Sequence, residues 1–302
     1  MSEGLSDPSA KRESPLEGAK KELVSAWHEA PWPEAVGDPD QLFHYCSADG
    51  LYGIVTGRSL WLSEIRTLND ESEMLYGREV VDRVLRSQNP RPAWLPKGMA
   101  SKSGFLEFVS SSRMYVGCFC SEGDLLSQWR AYGARGSGFA IGFSRQLLEE
   151  HCRGNDVAGP FRVVYDKNGQ TKVVRTFVQR AKEIAAKHGL GVNEYRGYSE
   201  EFMFWLTAFM PAMKNPSFSE EKEWRLFRIH PEGTPEFRPT HGAIIPYLTM
   251  SNIPPRVFSS VILGPTVEPD FGLRPMKLFL EHNRLEHVEV RRSQVPLRAL
   301  TA

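Results

Sequence analysis

Hydrophobic and polar residues recur with two different periods along the chain, and these periods predict a mixture of strands and helices. Runs typical of strands lie at residues 41–45, 60–62, 114–120, 138–143, 161–166, 224–229, 244–248, 257–263 and 287–290. Helical spacing is found at residues 51–56, 69–87, 124–132, 173–188, 198–210 and 271–282. Because strands and helices mix without a strict βαβ alternation, we expect an α+β fold with a mixed or antiparallel central sheet and flanking helices.

The N-terminal segment differs in composition from the rest of the chain. Residues 1–38 are polar and contain four prolines, so we predict a flexible N-terminal lead-in with at most a short helix at residues 20–28. No strong linker interrupts the chain after that segment. We therefore expect residues 39–302 to form a single α+β domain.

Charge and hydropathy narrow the classes of function. Lys+Arg and Asp+Glu both number 37 in the 302 residues, so we expect no sequence-independent binding of nucleic acid through bulk charge. No apolar run approaches the ~20 residues of a membrane helix, and the N-terminus lacks the apolar core of a signal peptide. We therefore expect a cytoplasmic protein without membrane attachment. Cys118 and Cys120 lack a second Cys or His pair, so no metal is expected.

The segment around Glu223 places charged residues beside residues of core type. On a strand, Glu221, Glu223 and Arg225 would share one face, with Trp224 and Leu226 on the other. Charges next to a core are costly unless they are paired. One interpretation is that the two carboxylates face a cavity and act in catalysis. The alternative is an ionic network with arginine in a non-catalytic module that binds a partner or senses a ligand.

Two further groups of residues belong to predicted helices, one at the start of the helix at residues 69–87 and one near the end of the helix at residues 124–132. Asn69 and Asp70 either cap a helix or help to position a ribose, a metal or an arginine. Trp129 and Tyr132 share a helix face and either anchor the helix to the sheet or stack on a base or nicotinamide ring. In the second case Arg130 would meet a phosphate.

A metal-dependent nuclease is a further alternative. Such enzymes place an aspartate and a Glu-x-Lys group around a metal on adjacent strands. Here Glu220, Glu221 and Glu223 provide carboxylates beside Lys222, and Asp124 or Asp166 would supply the other ligand.

Four groups of motifs carry a family resemblance. They are Leu42-Phe43-His44-Tyr45; Leu60-Trp61-Leu62-Ser63 with Leu68-Asn69-Asp70; Ser127-Gln128-Trp129-Arg130-Ala131-Tyr132-Gly133 with Gly138-Phe139-Ala140-Ile141-Gly142-Phe143; and Lys214 with Glu221-Lys222-Glu223-Trp224-Arg225. Through them the chain resembles a large family of uncharacterised bacterial proteins, a domain-of-unknown-function family. The resemblance implies an accessory protein of a mobile-element or antiviral defence locus, and it implies no defined chemistry.

A more distant resemblance is to ADP-ribosyltransferase-like folds. These begin with a strand whose His or Arg holds the ribose of NAD, carry an aromatic residue in the middle, and end with a catalytic Glu on a late strand. The resemblance implies that His44 and Tyr45 bind the ribose and that Tyr132 cradles nicotinamide. It also implies a catalytic Glu221-x-Glu223 pair with Arg225 beside the ligand. NAD would be the nucleotide-like ligand, and the resemblance leaves the macromolecular acceptor or protein partner open.

Overall fold

The computed structural model describes residues 14–32, 37–68, 72–95, 113–229, 233–240 and 242–297. In this part of the chain the α+β prediction is confirmed. The helices are α1 Pro15–His28, α2 Ala48–Gly57, α3 Ser72–Arg86, α4 Leu126–Ala131, α5 Arg145–Arg153, α6 Lys167–Lys187, α7 Tyr195–Thr207 and α8 Pro269–His282. The strands are β1 Gln41–Cys46, β2 Leu60–Glu64, β3 Met114–Cys120, β4 Phe139–Ser144, β5 Ala158–Arg162, β6 Glu223–Ile229, β7 Glu236–Thr240, β8 Ala243–Met250, β9 Phe258–Leu263 and β10 Glu289–Arg292. None of the helices described combines the length and the apolar character that crossing a bilayer requires.

The strands form one mixed sheet in the order β10-β9-β4-β1-β3-β2-β8-β7. Strand β6 pairs with β3 away from this path and carries β5 on its other edge. The pairing of β9 with β10 is parallel, and the other strand pairs are antiparallel. Strand β3 therefore pairs with three strands, β1, β2 and β6, and lies at the centre of the sheet.

Strand β3 is shared unevenly between its neighbours. It meets β1 at the pair Phe43↔Cys120 and β2 at Ser63↔Val116 and Glu64↔Tyr115. Its whole length from Met114 to Cys120 pairs with β6 on the other side. Strands β1 and β2 therefore leave the middle of β3 uncovered on their side, and a gap opens in the sheet beside Cys118.

Helices cover both faces of this sheet. One apolar core joins α1, α3, α6 and α7 to Val116 and Phe227 of the sheet. A second core joins α2, α5 and α8 to Leu42, Trp224 and Leu226. Because Trp224 and Phe227 serve opposite cores, β6 is buried on both faces, and its charged residues need partners inside the protein.

The N-terminal segment contains a longer helix than the one predicted at residues 20–28. Residues 1–13 lie outside the described residues, but Pro15–His28 forms a helix that packs against α6 and α7. Leu23 and Trp27 are buried, and the Trp27 ring lies 6.0 Å from the ring of Phe227 in a T-shaped contact. The apolar side chains of α1 recur at helical spacing, so this segment belongs to the domain rather than to a flexible lead-in.

Two strands also differ from the predicted ones. Strand β5 covers Ala158–Arg162 rather than residues 161–166. Strand β7, Glu236–Thr240, was not predicted from the sequence. It is an edge strand with mostly exposed side chains, so it lacks the alternation of buried and exposed residues that identifies a strand.

Candidate ligand-binding site

A cavity of about 440 Å³ lies at the gap between β1 and β2. This volume falls within the ~300–1,000 Å³ range of small-molecule sites. Six of the predicted site residues line it. They are His44, Tyr45, Tyr132, Glu221, Glu223 and Arg225. The fold therefore brings together side chains from β1, from the end of α4 and from the start of β6.

Glu223 and Arg225 form a buried ion pair in the cavity wall. Glu223 is 7% exposed and Arg225 is 1% exposed. The Arg225 Nε donates to Glu223 Oε1 at 2.8 Å, and a terminal guanidinium nitrogen donates to Oε2 at 2.8 Å. A third donor of Arg225 reaches the carbonyl oxygen of Pro211 at 2.7 Å. Two parallel hydrogen bonds of this kind fix both the position and the plane of the carboxylate.

Lys214 extends this pair into a network. Its Nζ lies 3.2 Å from Glu223 Oε2 and also bonds to Glu221. The same ammonium group lies 5.0 Å from the ring centre of Phe218. Two carboxylates thus share two cations at this end of the cavity, which meets the condition that buried charges be paired. The sequence placed Lys214 in a family motif but did not identify it as part of the site.

The ion pairs set the charge of Glu223. Burial alone would raise the pKa of its carboxyl group, but the charge and hydrogen bonds of Arg225 and the charge of Lys214 outweigh burial. A hydrogen bond with the Cys118 side chain acts in the same direction. The resulting pKa is about 2, so Glu223 is an anion at neutral pH.

A buried amide holds Lys214 in place. The Nε2 of Gln170 on α6 donates to the carbonyl oxygens of Val164 at 2.6 Å and Lys214 at 2.9 Å. Its Oε1 accepts from the hydroxyl of Tyr76 on α3 at 2.9 Å. The two helices of one core thereby fix the backbone from which the Lys214 side chain reaches the carboxylates.

Glu221 does not lie on the strand, contrary to the predicted shared face. It ends a 3-10 helix, Pro216–Glu221, and strand β6 begins two residues later. Between them Lys222 has φ of 46°, in the left-handed region that non-glycine residues seldom adopt. This turn sends the Lys222 ammonium away to Glu122 at 3.1 Å and leaves Glu221 facing the cavity.

His44 contributes an acceptor to the cavity. Its Nδ1 lies 2.9 Å from the carbonyl oxygen of Cys118. Because a carbonyl can only accept, Nδ1 carries the hydrogen and Nε2 of the neutral ring has a free lone pair. Burial lowers the pKa of His44, and the charge of Arg238 lowers it further against the opposing bond to Cys118. No residue in the described part of the chain bonds to Nε2.

Tyr45 and Trp129 act as structural anchors. The Tyr45 hydroxyl donates to the carbonyl of Glu122 at 2.8 Å and accepts from the Leu125 amide at 3.0 Å. Its ring meets that of Trp129 at 4.8 Å in a T-shaped contact. Trp129 is buried away from the cavity, and its Nε1 donates to Asp124. This placement favours the anchor interpretation of Trp129 over stacking on a ligand.

The remaining predicted contacts fall in different places. Tyr132 lines the cavity and is 40% exposed, and the pKa of its hydroxyl rises to about 12 through partial burial and the nearby charge of Glu221. Arg130 is exposed and does not line the cavity. Asn69 and its neighbour Asp70 lie outside the described residues.

Gln128 is a site residue that the sequence analysis missed. It is 6% exposed, it lines the cavity, and its side-chain amide makes no hydrogen bond with any of the described residues. Because Gln128 lines the cavity, its amide can donate to and accept from a polar ligand. Its signal in the sequence is its place at the start of the Gln128-Trp129-Arg130 motif, where roles were predicted for Trp129 and Arg130 but not for Gln128.

The carboxylates considered for a metal have other roles. Asp124 accepts from Trp129 Nε1 at 2.8 Å and from the Gln294 amide at 2.7 Å. Asp166 caps α6 by accepting from the amide of Gly169. Within the ranges that the structure describes, no group of three or more His, Cys, Asp or Glu side chains is arranged to hold a metal ion.

One family model matches the central part of the chain. No curated protein and no solved structure gives a significant match. Residues 128–226 match the model of a family described as "Protein of unknown function (DUF2971)". This segment carries Tyr132, Glu221, Glu223 and Arg225 of the cavity, whereas His44 precedes it. The predicted relation to a family of uncharacterised proteins is thereby confirmed for the segment from Gln128 in α4 to Leu226 in β6.

Proposed function

We propose that the cavity binds a nucleotide-like ligand through its ribose, and that NAD is this ligand. On this proposal the protein is an NAD-dependent ADP-ribosyltransferase-like enzyme. The observation that carries it is the meeting of His44, Tyr132 and Glu223 at one cavity. These residues come from three distant parts of the chain and occur in the order that the resemblance to ADP-ribosyltransferase-like folds implies.

The polar groups of the cavity suit a ribose and a carboxamide. The Nε2 lone pair of His44 can accept a hydrogen bond from a ribose hydroxyl. The amide of Gln128 offers both a donor and an acceptor, which matches a nicotinamide carboxamide. The ring of Tyr132 at the cavity wall offers an aromatic face for stacking. These three side chains together favour a ligand with a sugar and a planar polar ring.

The carboxylates suit a reaction in which positive charge develops on the sugar. NAD supplies a C1′–N bond whose electron pair leaves with nicotinamide when the bond breaks. An anion held in fixed orientation near that carbon stabilises the developing charge. Glu223 is ionised and oriented by Arg225 and Lys214. Glu221, with a 21% exposed side chain, is placed to accept the proton of the attacking acceptor.

A second candidate function is a non-catalytic module that senses a ligand. The observation that favours it is the pairing of Glu223 with both Arg225 and Lys214. The positive charges of Arg225 and Lys214 partly cancel the negative charge of Glu223, so Glu223 stabilises a positive charge on the ligand less strongly. The ion pairs that stabilise the fold therefore limit catalysis. On this alternative the cavity binds NAD without cleaving it.

Release of nicotinamide from NAD tests the proposal. The wild-type protein, mixed with NAD and candidate acceptors, should release nicotinamide. Glu221→Gln and the double variant Glu223→Gln/Arg225→Met should lose at least about 100-fold of this rate. The double variant removes the carboxylate together with its main partner and so avoids leaving a buried unpaired arginine.

The outcomes separate the two functions. Binding of NAD with no release under any acceptor supports the sensing module. Release that survives in both variants would remove Glu221 and Glu223 from the chemistry. We keep the cytoplasm as the proposed location and a defence or mobile-element locus as the proposed context.

A further inference from the structure

The cavity has a second polar end, on the side of β2, that the predicted site does not include. Trp61, Ser63 and Arg238 line it there. The register places Ser63 opposite Tyr247, and Tyr247 opposite Glu236. Since side chains two residues apart on a strand share a face, Trp61, Ser63 and Arg238 point to the same side of the sheet.

Arg238 is held in place by neutral groups. A terminal nitrogen of its guanidinium donates to Ser63 Oγ at 3.1 Å, and the guanidinium carbon lies 5.7 Å from the ring centre of Trp61. Its Nε is buried without an acceptor. Within the described part of the chain, Arg238 forms no ion pair with a carboxylate. Its positive charge in the cavity wall is therefore uncompensated by these residues.

The nearest acid along the strand is engaged elsewhere. Glu236 accepts hydrogen bonds from the hydroxyls of Tyr247 at 3.1 Å and Thr249 at 2.7 Å. Arg225, at the other end of the cavity, differs from Arg238 because it forms an ion pair with Glu223, which also pairs with Lys214. One end thus balances its charges internally, and the other end presents a cation to the cavity.

Ser63 completes the donor set. It is 8% exposed, and its oxygen accepts the hydrogen bond from Arg238. The hydroxyl hydrogen then remains available, and no acceptor for it appears among the described residues. Ser63 and Arg238 both line the cavity, and a hydroxyl beside a guanidinium is a pair of donors suited to an oxyanion.

We infer that Arg238 and Ser63 form a phosphate-binding subsite, which takes the phosphate or pyrophosphate of the nucleotide whose ribose lies near His44. This subsite rests on the proposed function for the identity of the rest of the ligand. Arginine suits it because its planar fork bonds two phosphate oxygens at once and packs on aromatic rings. His44 and Arg238 line the same cavity, so one ligand can contact both ends. The charge of Arg238 also lowers the pKa of His44.

Isothermal titration with adenosine, AMP, ADP and inorganic pyrophosphate tests the subsite. The wild-type protein should bind ADP more tightly than adenosine. Arg238→Gln should weaken ADP binding by about 10- to 100-fold, as expected for hydrogen bonds to a charged group, and change adenosine binding by less than about 2-fold. Ser63→Ala should weaken ADP binding several-fold. The control Arg196→Gln, on an exposed arginine of α7, should change neither affinity.

Other results separate this subsite from the proposed function. The subsite would be refuted if adenosine binds and the phosphates of ADP do not increase the affinity. It would also be refuted if Arg238→Gln weakens the binding of ADP and of adenosine equally. Either result would leave the ribose site intact. Pyrophosphate binding that Arg238→Gln abolishes, without binding of adenosine, would support the subsite and refute the ribose site. No binding of any of the four probes would overturn both. If Arg238→Gln lowers the unfolding midpoint, Arg238→Lys, which keeps the charge without the fork, and Ser63→Ala decide the question.

Discussion

Glu223 and Arg225, two residues apart on β6, face each other through two hydrogen bonds of 2.8 Å while their side chains stay almost fully buried. The pair borders the cavity at the gap between β1 and β2. The carboxylate is thus both a member of a buried ion pair and a wall of a site. As an ion-pair member the carboxylate should affect stability when mutated, and as part of the cavity wall it should affect ligand binding.

The first prediction concerns the stability of the ion pair. Glu223→Gln and Arg225→Met each leave a buried charge without its main partner, so each should lower the free energy of unfolding by about 3–5 kcal/mol. The double variant removes both charges while Lys214 keeps Glu221 as its partner. Its loss should therefore fall short of the sum of the single losses by at least about 1 kcal/mol. Urea unfolding of the four proteins measures this coupling, and strict additivity would contradict a direct interaction.

The second prediction concerns acid. The pKa of Glu223 is about 2 in the folded protein, against an ordinary value of 4.5. Between these values the unfolded chain binds the proton first, so the stabilisation present above pH 4.5 is lost as the pH falls towards 2. One such group contributes a slope of about 1.4 kcal/mol per pH unit. Urea unfolding from pH 5 to pH 2.5 should show a steeper decline for wild type than for Glu223→Gln/Arg225→Met, and equal slopes would be inconsistent with the depressed pKa.

The third prediction separates the two nitrogens of His44. In His44→Asn the amide nitrogen takes the place of Nδ1 and keeps the bond to the Cys118 carbonyl, whereas Nε2 is lost. This variant should keep the unfolding midpoint of the wild type and weaken NAD binding by about 3- to 10-fold. His44→Gln reaches the position of Nε2 and serves as the matched control, with affinity better preserved and stability reduced. The reverse order of affinities would place the ligand elsewhere.

The same histidine predicts the effect of pH on binding. Burial lowers the pKa of His44 from 6.5, so Nε2 stays unprotonated and able to accept at neutral pH. The affinity for NAD should be constant from pH 8 to pH 6.5 and should fall only at lower pH. Titration calorimetry over this range checks the expectation, and a fall in affinity between pH 8 and pH 7 would show that another group controls binding.

The fourth prediction tests whether α1 belongs to the domain. Trp27 is buried among the rings of α7 and β6, so Trp27→Ala should lower the free energy of unfolding by about 3–5 kcal/mol. Leu278→Ala, at an exposed position of α8, removes apolar surface outside the core and should cost less than about 0.5 kcal/mol. Thermal unfolding compares the two variants. Similar small effects would restore the interpretation of this segment as a flexible lead-in.

The sequence was informative where a residue's role follows from its own element. The alternation around Glu223 predicted a strand with charges beside a core, and the cost of such charges predicted partners for them. The order of His44, Tyr132 and Glu223 along the chain predicted a shared site. The strand and its paired charges follow from local pattern and from general rules about buried charge, whereas the shared site was expected only through the resemblance to ADP-ribosyltransferase-like folds.

Contacts between distant segments were not accessible in this way. The Oγ of Ser63 meets Arg238 across 175 residues of sequence, and Arg238 lies on an edge strand whose polar composition gives no strand signal. Glu221 lies outside the predicted strand because Lys222 adopts a left-handed conformation. A lysine at this position gives no sign of that conformation in the sequence. Trp129 illustrates a further limit, since spacing on a helix shows which side chains neighbour each other but not whether they face the core or a ligand.

Direct binding of NAD to the purified wild-type protein and to His44→Asn is the most decisive measurement. We expect saturable binding of one NAD per chain, weakened in His44→Asn at an unchanged unfolding midpoint. Binding of equal strength to both proteins, or no binding of NAD at millimolar concentration, would contradict the claim that the gap between β1 and β2 is a nucleotide site.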